Sequence, residues 1–239
     1  MVKGIQMDGL RVIGSVLDIA KDYYSRGIDE MVIIDVVASL YGRDSMAEII
    51  REVTADCFVP VTVGGGIRTL ADADILFRAG ADKVAINTGA ISDPGLIGNI
   101  ASKYGSQAVV VSIQAKADAA LGWECYTESG REPTGISVKA WVSEAESRGA
   151  GEFFLTSVDR DGTKKGPDWE LVKMVRQLTT IPLISASGIK DADDVARTFV
   201  ETQCEGVAIG SALHYRAATL EQIRASCRNF EVPVREAED

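Results

Sequence analysis

The sequence predicts an α/β protein, a (β/α)8 TIM barrel built from two half-barrel repeats in one domain. Three observations lead to this prediction. Short apolar segments alternate with helical segments along the 239 residues, a glycine-rich strand end recurs half a chain later, and polar residues collect where strands end. Apolar strands separated by helices are typical of a parallel sheet covered on both faces. The active site of such a barrel lies at the carboxyl ends of its strands.

Seven segments have the β-branched, apolar composition of buried strands, at 31–35, 61–63, 83–87, 108–113, 153–157, 183–185 and 206–209. Helical spacing of apolar residues appears between them, for example at 70–80 and 136–148. Glycines at positions 27, 80 and 149 stand where helix C-caps are expected. The alternation therefore predicts β/α units in sequence.

A repeat relates the two halves of the chain, which we place at about 1–105 and 106–239. The turn at Gly66 is matched by a turn at Gly188, 122 positions later, and the strand at Ile86 by the strand at Ile209, 123 positions later. Glycines at a strand end let backbone N–H groups approach an anion, and a helix N-terminus adds a positive dipole end. Two such turns predict a substrate with two phosphate groups.

The pattern has seven strands where a (β/α)8 barrel has eight, and the missing one is the first. By the repeat, the segment 108–114 requires a partner before residue 1, whereas a helical segment already begins near residue 16. An open barrel exposes strand edges, so we expect the natural protein to begin about fifteen residues earlier.

Composition limits the classes of partner. The net charge of −10 argues against nucleic acid and anionic membranes. Four cysteines without paired spacing and one histidine do not suggest a disulfide framework or a zinc site, and no cofactor is predicted. The chain has no signal peptide and no long apolar run, so we expect a cytoplasmic protein.

Several motifs in the same order resemble the cyclase subunit family of imidazole glycerol phosphate synthase, over essentially the whole chain. The matching segments are 27–30, 62–67, 80–84, 105–107, 149–152 and, the longest, 155–164 with the run Asp-Arg-Asp-Gly-Thr. The sister isomerase family shares the duplicated barrel and that run, but fits less well around 86–88 and 123–134. A related group associated with sugar amidation in surface-polysaccharide biosynthesis is similar at 2–6, 9–12 and 37–43.

The resemblance implies a lyase-type cyclase of histidine biosynthesis. A glutamine amidotransferase partner would release ammonia, which passes through the barrel to a bisphosphorylated ribulosyl substrate. Two aspartates would perform the acid/base steps; the first falls before Met1 and the second maps onto Gln114. Glutamine forms hydrogen bonds but does not titrate in water. The candidate catalytic residues are therefore Asp161, Gln114 and Asp35, although Asp161 could instead cap the next helix and Asp35 could be structural.

The resemblance also implies two further groups of site residues. Phosphate or substrate binding falls to Gly65, Gly66, Asn87, Thr88, Thr156, Gly162, Gly188, Gly210, Ser211 and Lys3. Tight loops also favour small residues, but that alternative does not explain their presence in both halves. Three charged residues, Glu30, Lys83 and Glu152, match members of a salt-bridged ring that gates ammonia entry. Their alternative is a solvated surface, but charges around a barrel axis are costly unless paired.

The sequence leaves three alternative functions open. The chain is a histidine-pathway cyclase, a paralogue that supplies ammonia to a sugar, or a non-catalytic barrel that activates or scaffolds an amidotransferase. The identity of residue 114 bears on all three, because a neutral amide stands where the family has a carboxylate.

Overall fold

The computed structural model describes residues 2–5, 8–12, 14–35 and 43–235. By its contacts the chain divides into two compact units. The amino-terminal unit comprises residues 14–112 and 144–153, and the carboxy-terminal unit comprises residues 2–13, 113–143 and 154–239. The predicted division into halves at residues 105 and 106 stays a prediction.

The described strands are β1 Val2–Ile5, β2 Asp8–Val12, β3 Met31–Ile34, β4 Val61–Gly64, β5 Lys83–Ile86, β6 Val109–Asp118, β7 Gly122–Thr127, β8 Glu132–Ser137, β9 Glu152–Ser157, β10 Leu183–Ala186 and β11 Gly206–Ala208. The described helices are α1 Val16–Ser25, α2 Arg43–Asp56, α3 Leu70–Arg78, α4 Thr88–Ser92, α5 Gly95–Tyr104, α6 Val138–Ser147, α7 Trp169–Arg176, α8 Ala192–Thr202, α9 Ser211–His214 and α10 Leu220–Asn229.

In the amino-terminal unit the strand order of the sheet is β6-β5-β4-β3, and in the carboxy-terminal unit it is β11-β10-β9-β6. The pairs β3–β4, β4–β5, β5–β6 and β10–β11 are parallel. These parallel strands alternate with helices, which confirms the predicted fold class, an α/β barrel of the (β/α)8 type. Within the described ranges the sheet holds seven strands of the barrel, each at a predicted position. The predicted earlier start of the chain stays a prediction.

The connection after β6 differs from the sequence-based expectation. Residues 114–118 continue β6 beyond its predicted end, and β7 and β8 form an antiparallel extension beside it. The turn between β6 and β7 is closed by Asp118 Oδ1, which accepts hydrogen bonds from the backbone N–H groups of Ala120 and Leu121 at 2.8 and 2.7 Å. Because β8 extends to Ser137, α6 begins at Val138, two residues later than predicted.

Buried aliphatic residues hold the strands against their helices in each unit. In the amino-terminal unit, Val61 and Val63 of β4 and Ile50 of α2 are fully buried. In the carboxy-terminal unit, Leu171 of α7 and Leu183 of β10 are likewise buried. Burying one such side chain contributes about 1.5–3 kcal/mol relative to exposure. These contacts fix the strand ends that carry the candidate site residues.

The predicted helix ends are confirmed at Gly27, Gly80 and Gly149, whose φ angles are 79°, 110° and 101°. After each glycine, the next backbone N–H returns to a carbonyl of the last helical turn, as in a Schellman motif. Within the described ranges, no helix combines the length and apolar character needed to cross a membrane.

Candidate functional site

The turn after β4 has two consecutive glycines with positive φ angles. Gly65 and Gly66 have φ angles of 107° and 63°. A Cβ atom on Gly65 would lie 2.2 Å from the carbonyl oxygen of Asp35, a distance that no side chain tolerates. The half-buried Asp35, whose backbone N–H donates to Gly64 O at 2.8 Å, therefore packs its backbone directly on this turn.

The turn after β10 has the same backbone form. Ser187 and Gly188 have φ angles of 87° and 81°, and a Cβ atom on Gly188 would lie 2.4 Å from Gly166 O. Ser187 is strained in this conformation, but its hydroxyl accepts from Ser157 N at 3.1 Å and donates to Ser157 O at 2.9 Å. Those two bonds offset the strain, so a serine occupies the position that Gly65 has in the other unit.

The helices that follow the two turns begin in the same way. Asp72 Oδ2 accepts from the backbone N–H of Arg68 at 2.9 Å, and Asp194 Oδ2 accepts from that of Lys190 at 3.1 Å. Both pairs of positions are 122 apart, as in the repeat. A carboxylate in the first helical turn satisfies N–H groups that have no partner inside the helix.

A second matched feature is the start of the short helices α4 and α9. The preceding residues, Asn87 and Gly210, have nearly the same backbone angles, φ −125° and ψ −85° against φ −108° and ψ −84°. The first helical residues are Thr88 and Ser211, both with hydroxyl side chains. Asn87 Nδ2 donates to Ser112 O at 2.9 Å, so this amide holds the end of β6 in place.

In each unit, two consecutive residues of the turn have positive φ angles. Backbone turns of this kind can present N–H groups to an anion. The predicted phosphate-binding residues divide between the units: Gly65, Gly66, Asn87 and Thr88 lie in the amino-terminal unit, and Thr156, Gly162, Gly188, Gly210 and Ser211 in the carboxy-terminal unit. Lys3 lies in β1, and its side chain falls outside the described part of the chain. Their role in binding phosphate stays a prediction.

Asp161 is held in a tight turn after β9. Its backbone N–H donates to Ser157 O and Val158 O at 3.0 and 3.2 Å, and the residue is only 7% exposed. The alternative role for Asp161, capping the next helix, is wrong, because Asp168 is the N-cap of α7 and accepts from Leu171 N at 3.2 Å. A buried carboxylate beside a strand end is a candidate for acid/base chemistry.

Gln114 lies on β6 opposite Tyr126 of β7. Its Oε1 atom is buried and has no hydrogen-bond partner among the described residues. An unpaired buried acceptor costs about 1–3 kcal/mol, so such an atom is poised to bind a donor from a ligand. Two residues along the strand, Lys116 Nζ lies 4.4 Å from the centre of the Tyr126 ring.

The three predicted gate residues form a salt-bridged cluster in the amino-terminal unit. Lys83 Nζ lies 2.6 Å from Glu152 Oε2 and 3.1 Å from Glu30 Oε2. Glu152 is nearly buried, whereas the Glu30 side chain is 49% exposed. The alternative interpretation, a solvated surface, is wrong for Lys83 and Glu152, whose side chains are largely buried and paired. The gating role stays a prediction.

Burial and ion pairing together set the pKa values of Lys83 and Glu152. Burial lowers the pKa of Lys83, but the hydrogen bond and charge of Glu152, together with Glu30, outweigh it and raise the pKa above its ordinary value. Burial raises the pKa of Glu152 above its ordinary value, against the opposing effect of Lys83. Lys83 therefore stays charged at neutral pH between its two carboxylate partners.

The sequence alone missed one contact of the turn that carries Asp161, a hydrogen bond from Ala117 N to Asp159 Oδ2 at 2.9 Å. It depends on the unexpected extension of β6. The only signal in the sequence is the acidic residue two positions before Asp161.

Comparisons with known proteins agree with this geometry. The family described as histidine biosynthesis protein matches residues 1–219. The imidazole glycerol phosphate synthase subunit HisF of Legionella pneumophila is 49% identical over 189 residues, which are 79% of this chain and 89% of the relative. The proteins of the same name from Streptococcus mutans and Anoxybacillus flavithermus are 40% and 42% identical, each over 98% of this chain and 94% of the relative. The chain belongs to the histidine biosynthesis protein family, as the resemblance of its motifs predicts.

Proposed function

We propose that the chain is the cyclase subunit of imidazole glycerol phosphate synthase, a lyase-type enzyme of histidine biosynthesis. The observation that carries this proposal is the similarity to HisF proteins over 98% of the chain. The duplicated turn supports it independently, because an enzyme for a bisphosphorylated substrate needs two anion sites.

One phosphate group would bind at each turn. In the amino-terminal unit the ligands would be the backbone N–H groups of Gly65 and Gly66 with the Thr88 hydroxyl. In the carboxy-terminal unit they would be those of Gly188 with the Ser211 hydroxyl. The support is that both turns have positive φ angles at paired positions and that both short helices start from the same backbone conformation.

The reaction adds ammonia, cleaves a carbon–nitrogen bond and closes an imidazole ring, and each step moves protons. Asp161 would serve as an acid or base, since it is a buried carboxylate on a turn whose backbone is hydrogen-bonded at a strand end. Asp35 would do the same at the turn of the other unit. Gln114 would hold a substrate donor through its unpaired Oε1 atom.

Ammonia would come from a glutamine amidotransferase subunit and would enter past Glu30, Lys83 and Glu152. The support is that the three side chains are joined by hydrogen bonds of 2.6 and 3.1 Å, so entry requires a local rearrangement. The predicted cytoplasmic location is part of the same proposal, and the four buried free thiols are compatible with a reducing compartment.

A growth test addresses the whole proposal. Expression in a bacterium that lacks its own cyclase subunit should restore growth without histidine, and an empty vector should not. The isolated protein should also form the imidazole product from the bisphosphorylated ribulosyl substrate with ammonium as nitrogen source. Failure of both assays with a folded protein would contradict the proposal.

Gln114 favours one second candidate, a paralogue that delivers ammonia to a sugar. Its amide is neutral where the resemblance places a carboxylate, so a reaction with fewer proton transfers would suit it. In that case the bisphosphate assay would give no product while an amidotransferase partner still bound. A scaffold without catalysis would bind the partner and give no product with either substrate.

A further inference from the structure

The turn that carries Asp161 is fastened to β6 at two points within the carboxy-terminal unit. Val158 N donates to Ala115 O at 2.9 Å, and Ala117 N donates to Asp159 Oδ2 at 2.9 Å. The first is a bond between main chains. The second depends on one side chain.

These two segments carry Gln114 and Asp161, the candidate catalytic residues that lie in this unit. Gln114 directly precedes Ala115 on β6, and Asp161 follows Asp159 by two residues. The same turn is also held where β9 ends, by the two hydrogen bonds between Ser157 and Ser187. The Asp159 carboxylate, two residues from Asp161, therefore ties this turn to β6.

We propose that Asp159 is a positioning residue that sets the place of the Asp161 carboxylate relative to the Gln114 amide. This inference rests on the proposed function, in which both groups face the substrate. Hydrogen bonds to a charged acceptor are about twice as strong as neutral ones, so a carboxylate is suited to hold an exposed strand extension and a turn together. Misplacing a catalytic group by about 1 Å can lower the rate of the reaction by about 10²-fold.

Asp118 provides a matched control on the same strand. Its Oδ1 atom also accepts backbone hydrogen bonds, from Ala120 and Leu121, but these close the β6–β7 turn and do not reach the Asp161 segment. Removing either carboxylate therefore costs backbone hydrogen bonds of the same kind, and only Asp159 connects to the turn after β9.

The first test is steady-state turnover with ammonium and the bisphosphorylated substrate. Asp159→Ala should lower kcat by about 10²-fold with KM changed by less than about threefold. Asp159→Asn keeps an acceptor oxygen and should recover most of the loss, and Asp118→Ala should retain the kcat of the wild type. Unchanged kcat in Asp159→Ala, or an equal loss in Asp118→Ala, would overturn the inference.

A second readout does not depend on activity. Hydrogen–deuterium exchange of residues 158–166 and of the Ala117 amide should quicken in Asp159→Ala and stay at the wild-type rate in Asp118→Ala. Absence of turnover in the wild type would count against the proposed function, and the exchange result would then decide the positioning claim. Wild-type exchange rates in Asp159→Ala would overturn it.

Discussion

The Lys83 ammonium lies 2.6 Å from the Glu152 carboxylate, and both side chains are largely withdrawn from solvent, with 18% and 11% exposure. Their positions are 69 residues apart in the chain. Desolvation makes each charge costly when it has no partner. The pair therefore affects the free energy of unfolding mainly when one partner is removed.

We expect Lys83→Met to lower the free energy of unfolding by about 3 kcal/mol, because it leaves the Glu152 carboxylate buried without its cation. Urea unfolding at pH 7 measures this change. In a reconstituted complex with the amidotransferase subunit, the same variant should also alter glutamine-dependent turnover more than ammonium-dependent turnover, since the cluster is the proposed entrance.

The matched control is Lys173→Met. Lys173 Nζ lies 2.7 Å from Glu201 Oε2, a similar distance, but the two side chains are 43% and 44% exposed. Exposed pairs contribute less than about 1 kcal/mol. Equal losses of stability in the two variants would show that burial of the Lys83 cluster has no energetic consequence.

The two glycine turns allow a second prediction. Gly65→Ala and Gly188→Ala combine a positive φ angle with a Cβ atom placed 2.2 and 2.4 Å from a carbonyl oxygen. Each should lower the free energy of unfolding by more than about 2 kcal/mol and weaken binding of inorganic phosphate. Chemical denaturation and isothermal titration calorimetry provide the two measurements.

Gly122→Ala separates conformational strain from the clash. Gly122 has a φ angle of 76°, but a Cβ atom there would meet nothing within 4 Å. In that variant the free energy of unfolding should fall only by the cost of placing alanine in the left-handed region, about 1–2 kcal/mol. The variant should bind phosphate like the wild type. A loss at Gly65 no larger than at Gly122 would argue against the close approach of Asp35.

The strands could be predicted from sequence because their signal is local. Each barrel strand is a short run of β-branched or apolar residues, and the helix ends at Gly27 and Gly80 depend on neighbours within one turn. The turn at Gly188 was predictable from its match to Gly66. The positive φ angle of Ser187 was not, because serine adopts it only through hydrogen bonds to Ser157, 30 residues away.

The extension of β6 could not be predicted for a similar reason. Alanine, lysine and aspartate alternate over 115–118, a composition that equally suits a connection, and the strand exists because β7 pairs with it. The charged cluster was expected only through the family resemblance. Nothing local in the sequence indicates that Glu30 and Lys83, 53 residues apart, share a hydrogen bond.

The buried thiol of Cys125 predicts a dependence of stability on alkaline pH. Burial, with a smaller contribution from the charge of Glu124, raises the pKa of Cys125 to about 12 from an ordinary value of 9.0. Above pH 9 the unfolded thiol loses its proton while the folded thiol keeps it, so the folded state binds more protons and is destabilised as pH rises.

We therefore expect the stability of the wild type relative to Cys125→Ala to fall by about 1.4 kcal/mol per pH unit between pH 9 and 12. Below pH 9 the difference should be constant. Denaturation by urea at pH 7, 9, 10 and 10.5 measures it. A difference that does not vary over this range would mean that the thiol ionises as readily in the folded protein as in the unfolded chain.

The last prediction concerns the uncharged residue at the candidate site. If proton transfer limits the reaction, Gln114→Asp should raise ammonium-dependent cyclisation by about 10²-fold, the lower range for general acid/base catalysis. Single-turnover product formation compares the variant with the wild type. Because Oε1 of Gln114 is buried, an aspartate there costs stability unless it finds a donor, so the folded fraction must be measured first.

Gln107→Asp controls for the added negative charge, since Gln107 is exposed and its amide donates to the nearby Tyr104 carbonyl at 3.1 Å. It should leave the rate unchanged. A wild-type rate that Gln114→Asp does not improve would show that the neutral amide is sufficient and that Asp161 or Asp35 supplies the proton transfers. Loss of all cyclisation in a folded Gln114→Asp variant would instead show that the glutamine side chain makes a substrate contact that aspartate does not replace, because aspartate is shorter and, when ionised, has no hydrogen to donate.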